Sequence, residues 1–123
     1  MSDIPTVPDV LDPQVPVLPL PDVAQRLGQP MTRVHRMLRE GQLLAVRRDG
    51  VPAVPADFLA DGEPAVVKHL QGTLTVLRDA GFSDEEMLRW LFTPDDTLPG
   101  TPIGALRSDR SREIRRRAQA LAF

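Results

Sequence analysis

Cysteine is absent from this 123-residue chain, which removes disulfides, thiolate zinc sites and thiol nucleophiles together. Histidine is scarce: His35 and His69 stand far apart, and neither has neighbours that would complete a metal site. No Gly-rich phosphate loop or nucleophile motif is present. Asp84, Glu85 and Glu86 sit where a helix start favours acids, and Asp95-Asp96 has no partner pattern for acid–base work. An enzyme, a metal and a cofactor are therefore not expected. No apolar run approaches the roughly 18 residues that a membrane span needs. The first charged residue is Asp3 and prolines interrupt the apolar positions, unlike a signal peptide. The expectation is a cytoplasmic protein with no membrane partner.

What is present is enough to fold. Apolar residues make up 41% of the chain, which argues against wholesale disorder. The net charge of −2 is divided into blocks of −3 (residues 1–16), +2 (17–58), −5 (59–106) and +4 (107–123). Attraction for phosphate depends on a local basic face rather than on the pI, so the two basic blocks matter more than the total.

Residues 1–16 hold Pro5, Pro8, Pro13 and Pro16 among acids. Proline this dense removes amide donors and forbids helix, which predicts a disordered, extended acidic tail; an edge strand through Val15 and Val17 is the alternative. Thr6 is the sole threonine there. A phosphate on it would add about two negative charges, able to repel a polyanion or compete for arginines, which makes Thr6 a candidate modification site.

Beyond the tail, Leu20, Ala24 and Leu27 mark a helix over about 21–27 that Gly28 ends. A second helix spans 31–40 and stops at Gly41. Asp49-Gly50 is a hairpin turn between strands reaching from Leu43 to Val54, with Pro52 restricting the returning strand to an edge, and Pro55 to Leu59 form a closing helical turn. After a boundary at residues 61–64, helices are predicted over 70–79, from a Ser83–Glu86 capping box, and over 109–121. A short turn follows Thr101-Pro102. Trp90 should anchor this second core, with Leu121, Ala122 and Phe123 docked onto it.

Thr32, Arg33, Arg36 and Arg39 are left on the outer side of helix 31–40, with Arg47 and Arg48 just before the hairpin turn. Arginine can fork onto guanine or grip phosphate, so these six are the candidate DNA-binding residues. The competing readings are a solvated helix face with an Arg36–Glu40 pair, and hairpin charges that discourage edge pairing. His35 either faces DNA or packs against the first helix. Arg110, Arg112, Arg115, Arg116 and Arg117 could contact flanking phosphates, favour the helix C-terminus, meet a second copy, or be solvated.

The segment VAQRLGQPMTRVHRMLREGQLLAVRRDG, followed by VPAVPADFL, resembles an excisionase-like or MerR-like winged helix-turn-helix. With the later run WLF…LPG, REI and RRAQALAF, the chain is similar to a small actinobacterial DNA-binding family whose C-terminal domain has no assigned function. The resemblance implies a regulatory protein of duplex DNA, with 31–40 as recognition helix and 44–54 as wing. The second half also has a looser likeness to toxin-binding domains of antitoxins. The expected architecture is mainly α with a small β-hairpin. It comprises a tail (1–16), a winged helix-turn-helix (17–60) and a C-terminal three-helix unit (65–123). The partners expected are double-stranded DNA and a protein partner or homodimer through the C-terminal domain. The alternative is a protein-interaction module of antitoxin or adaptor type.

Overall fold

The computed structural model describes residues 4–108 and 110–121. Asp3, the helix start expected at Asp109 and the docking expected of Ala122 and Phe123 lie outside the described residues. The chain divides into two units, one ending at Val66 and the other starting at Val67.

In the first unit, Leu20, Val23, Ala24 and Leu27 recur at i, i+3, i+4 and i+7 and are all buried, giving helix α1 (Leu20–Leu27) one core-facing stripe. Gly28 ends α1 in the left-handed conformation, φ 63°. Its N–H reaches the Gln25 carbonyl, and that of Gln29 reaches the Ala24 carbonyl, satisfying carbonyls left open by the last turn. Helix α2 (Met31–Arg39) follows, burying Val34, Met37 and Leu38, and packs against α1.

The strands exceed the expected hairpin. β1 (Val7–Pro8), β2 (Val17–Pro19), β3 (Val46–Arg48) and β4 (Val51–Pro55) form one sheet in the order β1-β3-β4-β2. β3 and β4 are joined by Asp49-Gly50, both at positive φ (53° and 78°), the two-residue turn whose twist matches that of antiparallel strands. β4 is interior rather than an edge strand: β2 pairs with it antiparallel as far as Pro19 opposite Ala53. Pro52 lies one residue past that pairing, so its missing N–H falls where β2 has ended.

The predicted disordered tail is a second correction. Val7 and Pro8 pair in parallel with Val46 and Arg47, the Val7 N–H donates to the Ala45 carbonyl at 3.1 Å, and Leu11 is buried. Proline excluded helix correctly, but an extended chain with valine and leucine at intervals can still pair and pack. A 3-10 turn (Ala56–Phe58) buries Phe58, and a bridge between Leu59 and Val66 closes the first unit.

The second unit contains α3 (Leu70–Asp79), α4 (Asp84–Phe92), α5 (Pro102–Leu106) and α6 (Ser111–Ala120). Among the described residues there are thus four helices rather than three: Pro102 opens α5 where a turn was expected, and the Thr101 hydroxyl caps it by accepting from the Gly104 N–H. α3 packs on α6 and on α4, and α5 joins α4 to α6. Leu70, Leu74, Leu77, Met87, Leu88 and Ile114 lie in the core. Two side chains depart from expectation. Trp90 is only half-buried, because it stands one position off the Met87, Leu88 and Leu91 stripe. Leu121 is 44% exposed, just beyond the end of α6.

Ser83 and Glu86 form a reciprocal capping box: each side chain accepts from the other residue's N–H, at 3.2 and 2.9 Å. Replacing Ser83 with Ala should cost the second unit about 1 kcal/mol. Trp90 is the single tryptophan and lies on the same helix, so urea unfolding followed by its fluorescence reads that loss. An unchanged midpoint would show the cap to be energetically idle.

Candidate nucleic-acid interface

Helix α2 separates its residues by side. Val34, Met37 and Leu38 are buried, while Thr32, Arg33, Arg36 and Arg39 are exposed. At about 100° per residue, these four fall within a sector roughly 120° wide, opposite the buried three. Among the described residues, the guanidiniums of Arg33, Arg36 and Arg39 join no ion pair and no hydrogen bond, and the Arg36–Glu40 pair does not form. Three cationic forks are therefore presented to solvent without an internal partner. Gly28 to Pro30 turns the chain between α1 and α2, so that the buried stripe of α2 meets α1 and leaves this face outward. His35 is half-buried with its Nε2 enclosed and unpartnered, so it packs rather than joining the exposed face.

The two arginines of the hairpin part company. Arg47 is exposed, and its Nη1 donates to the Gly50 carbonyl at 3.1 Å, which holds the guanidinium at the wing tip. Arg48, one residue on, points to the other face of the sheet, as period-two alternation requires. There its Nε donates to Asp9 Oδ2 at 2.6 Å and its Nη1 to the Val15 carbonyl at 2.6 Å. Its Nη2 reaches Asp9 Oδ1 at 3.3 Å and the Asp12 carbonyl at 3.2 Å. The Arg48 and Asp9 side chains are only 18% and 21% exposed. Arg48 is thus committed to the N-terminal segment and does not belong with the outward-facing arginines.

The carboxylate of Asp9 is held below its usual pKa, chiefly by the hydrogen bond from Arg48 and against the opposing effect of burial. The guanidinium is raised in turn by the same bond. Sequence reasoning missed this pairing because acids among prolines resemble a solvated tail. The available signal was Leu11 between Asp9 and Asp12, an apolar residue with no role in a disordered segment. Thr6 precedes β1 directly and is half-buried.

Two family models match the chain. The winged helix-turn-helix domain of DNA-binding protein Rv2175c matches residues 3–59, and the Rv2175c C-terminal domain of unknown function matches residues 67–122. A curated relative, the DNA-binding protein Rv2175c of Mycobacterium tuberculosis, is 44% identical over 135 residues, covering 100% of this chain and 92% of the relative. The NMR structure of Rv2175c superposes with a TM-score of 0.86 at 44% identity, over 99% of this chain and 91% of that one. The first match begins at residue 3 and so takes in β1, the segment that composition alone assigned to a tail. From fold, sequence and both domain models, the chain belongs to the Rv2175c family, a winged helix-turn-helix followed by a C-terminal domain of unknown function.

Proposed function

We propose that this protein binds duplex DNA by laying α2 in the major groove, and that it acts as a transcriptional regulator. Arg33 and Arg36 are the principal contacts, Thr32 and Arg39 lie at the margins, and Arg47 meets a neighbouring backbone phosphate from the wing tip. The observation that carries this reading is the set of unpaired guanidiniums of α2 opposite its buried stripe. An internal salt-bridge network would have consumed them, and a purely structural face gains nothing from leaving them open. A major groove about 12 Å wide admits one α-helix, and a helix-turn-helix offers its second helix in this way.

The test is a nitrogen-15 amide titration of the full chain with a random-sequence duplex at low salt. Amides of residues 31–40 and 47–50 should move first and furthest. If they stay still while others move, the placement is wrong; if none moves, DNA is not the ligand. The regulatory role calls for selection from a random duplex pool. Convergence on one sequence, preferred at least about 10³-fold over the bulk, supports it, and an unenriched pool refutes it.

A further inference from the structure

The arginines of α6 fall into two groups. Arg117 donates to Asp95 Oδ2 at 3.3 Å, to the Thr97 hydroxyl at 2.6 Å and to Glu113 Oε1 at 3.1 Å. Arg110 pairs with Glu113 at 3.7 Å. These two are internally neutralised, and Arg117 ties α6 to the loop that carries Asp95. Arg112, Arg115 and Arg116 are exposed and meet no acid among the described residues. With Gln119 they line one shallow hollow. At about 100° per residue, the four fall in a sector roughly 100° wide. Ile114 and Ala118 face the opposite way and are fully buried. The acids at hand are thus spent on one flank of the helix, and three guanidiniums stand together on the outer face.

We propose that this Arg112, Arg115 and Arg116 face is a second phosphate-binding surface for duplex DNA, separate from α2 and the wing. It rests on the reading that the first unit binds DNA. Three features select a polyanion as the occupant. The face carries three positive charges and one amide but no aromatic or large apolar side chain, whereas protein partners are gripped through such anchors. Arg112 and Arg116 are separated by about 6 Å along the helix axis, close to the roughly 7 Å rise of two base pairs along one strand. Arginine presents a planar fork that matches phosphate oxygens. A single small module contacts few base pairs, and a second phosphate contact on the same chain raises occupancy through effective concentration.

The test uses the full chain and a labelled random duplex of about 30 base pairs, long enough for several such contacts, followed by anisotropy across a salt series. Substituting Arg112, Arg115 and Arg116 together with Gln should flatten the log–log salt slope by up to about 2.7, at about 0.9 per lost phosphate contact. The α2 amide shifts should persist. A matched loss of three charges at Arg26, Lys68 and Arg89 should leave the slope near that of wild type. In the unsubstituted protein, the side-chain Nε–H signals of Arg112, Arg115 and Arg116 should shift on adding duplex. That readout requires no variant to fold. An unaltered slope in the α6 variant, with those signals unmoved, overturns the inference while the α2 reading stands. An equal loss from the matched control overturns it as well, since net charge rather than a face would then be responsible. Failure of the wild type to bind any duplex removes both readings together.

Discussion

Replacing Arg33 and Arg36 together with alanine is expected to weaken duplex binding by about 30-fold or more, if each fork contributes the 1–3 kcal/mol typical of a bidentate contact. Both side chains are exposed and unpaired within the protein, so the substitution removes no internal interaction and should leave folding intact. Helical circular dichroism and the thermal midpoint check that condition. The salt series then separates the two modes of contact. Arginines on phosphate flatten the log–log slope by about 1.8 for the pair, and affinity falls similarly for every sequence. Arginines on base edges leave the slope nearly unchanged and instead erase preference among sequences. A double variant with wild-type affinity and wild-type slope removes α2 as the contacting helix.

Arg47 and Arg48 are adjacent and chemically identical, yet their replacement should give opposite phenotypes. Arg47→Ala should flatten the salt slope by about 0.9 with little effect on stability, since the one bond lost, to the Gly50 carbonyl, is exposed to solvent. Arg48→Ala removes a forked hydrogen bond to a carboxylate together with three carbonyl contacts and leaves the half-enclosed Asp9 without a cation, with only the Leu11 N–H to accept from. The expected cost is about 1.5–3 kcal/mol, the range for hydrogen bonds to charged groups. Far-UV circular dichroism in urea reads this loss in the first unit, whereas Trp90 fluorescence, which reports the second unit, should not change. Acid should reproduce the effect in the wild type. Because the Asp9 pKa is lowered by folding, its contribution is complete above the unfolded carboxylate pKa of about 3.9. It is lost as pH falls through the lower folded value. The difference between wild type and Arg48→Ala should therefore hold at neutral pH and shrink in strong acid. A gap independent of pH would show that Asp9 does not hold Arg48.

Local features were legible in the sequence where a short-range rule decides the outcome. Gly28, Asp49-Gly50 and the Ser83–Glu86 pair each act within five residues, and the elements they bound formed as read. The outward arginines of α2 followed from helical periodicity in the same way. Arg48 did not, because its partner Asp9 lies 39 positions away and no local pattern couples the two. Periodicity alone would have placed Arg47 and Arg48 on opposite faces of a strand; treating both as wing-tip residues ignored that alternation. Trp90 was assigned to the core by residue type, but its position on α4 set its exposure. α5 was read as a turn because five residues are too few for a hydrophobic period to show.

The parallel pairing of β1 with β3 also bears on the order in which the chain assembles. The β3–β4 hairpin closes through two residues, a microsecond event. β1 can join only after a loop of nearly forty residues has been drawn shut, with the entropy which that entails, and it contributes just two residues to the sheet. Its hold depends on the Asp9–Arg48 clasp and on Leu11 rather than on its own ladder. The segment should accordingly dock last and open first, and its amides should exchange with solvent well ahead of those in α1 and α2. Of all the residues described, those made earliest on the ribosome are the last to find their place.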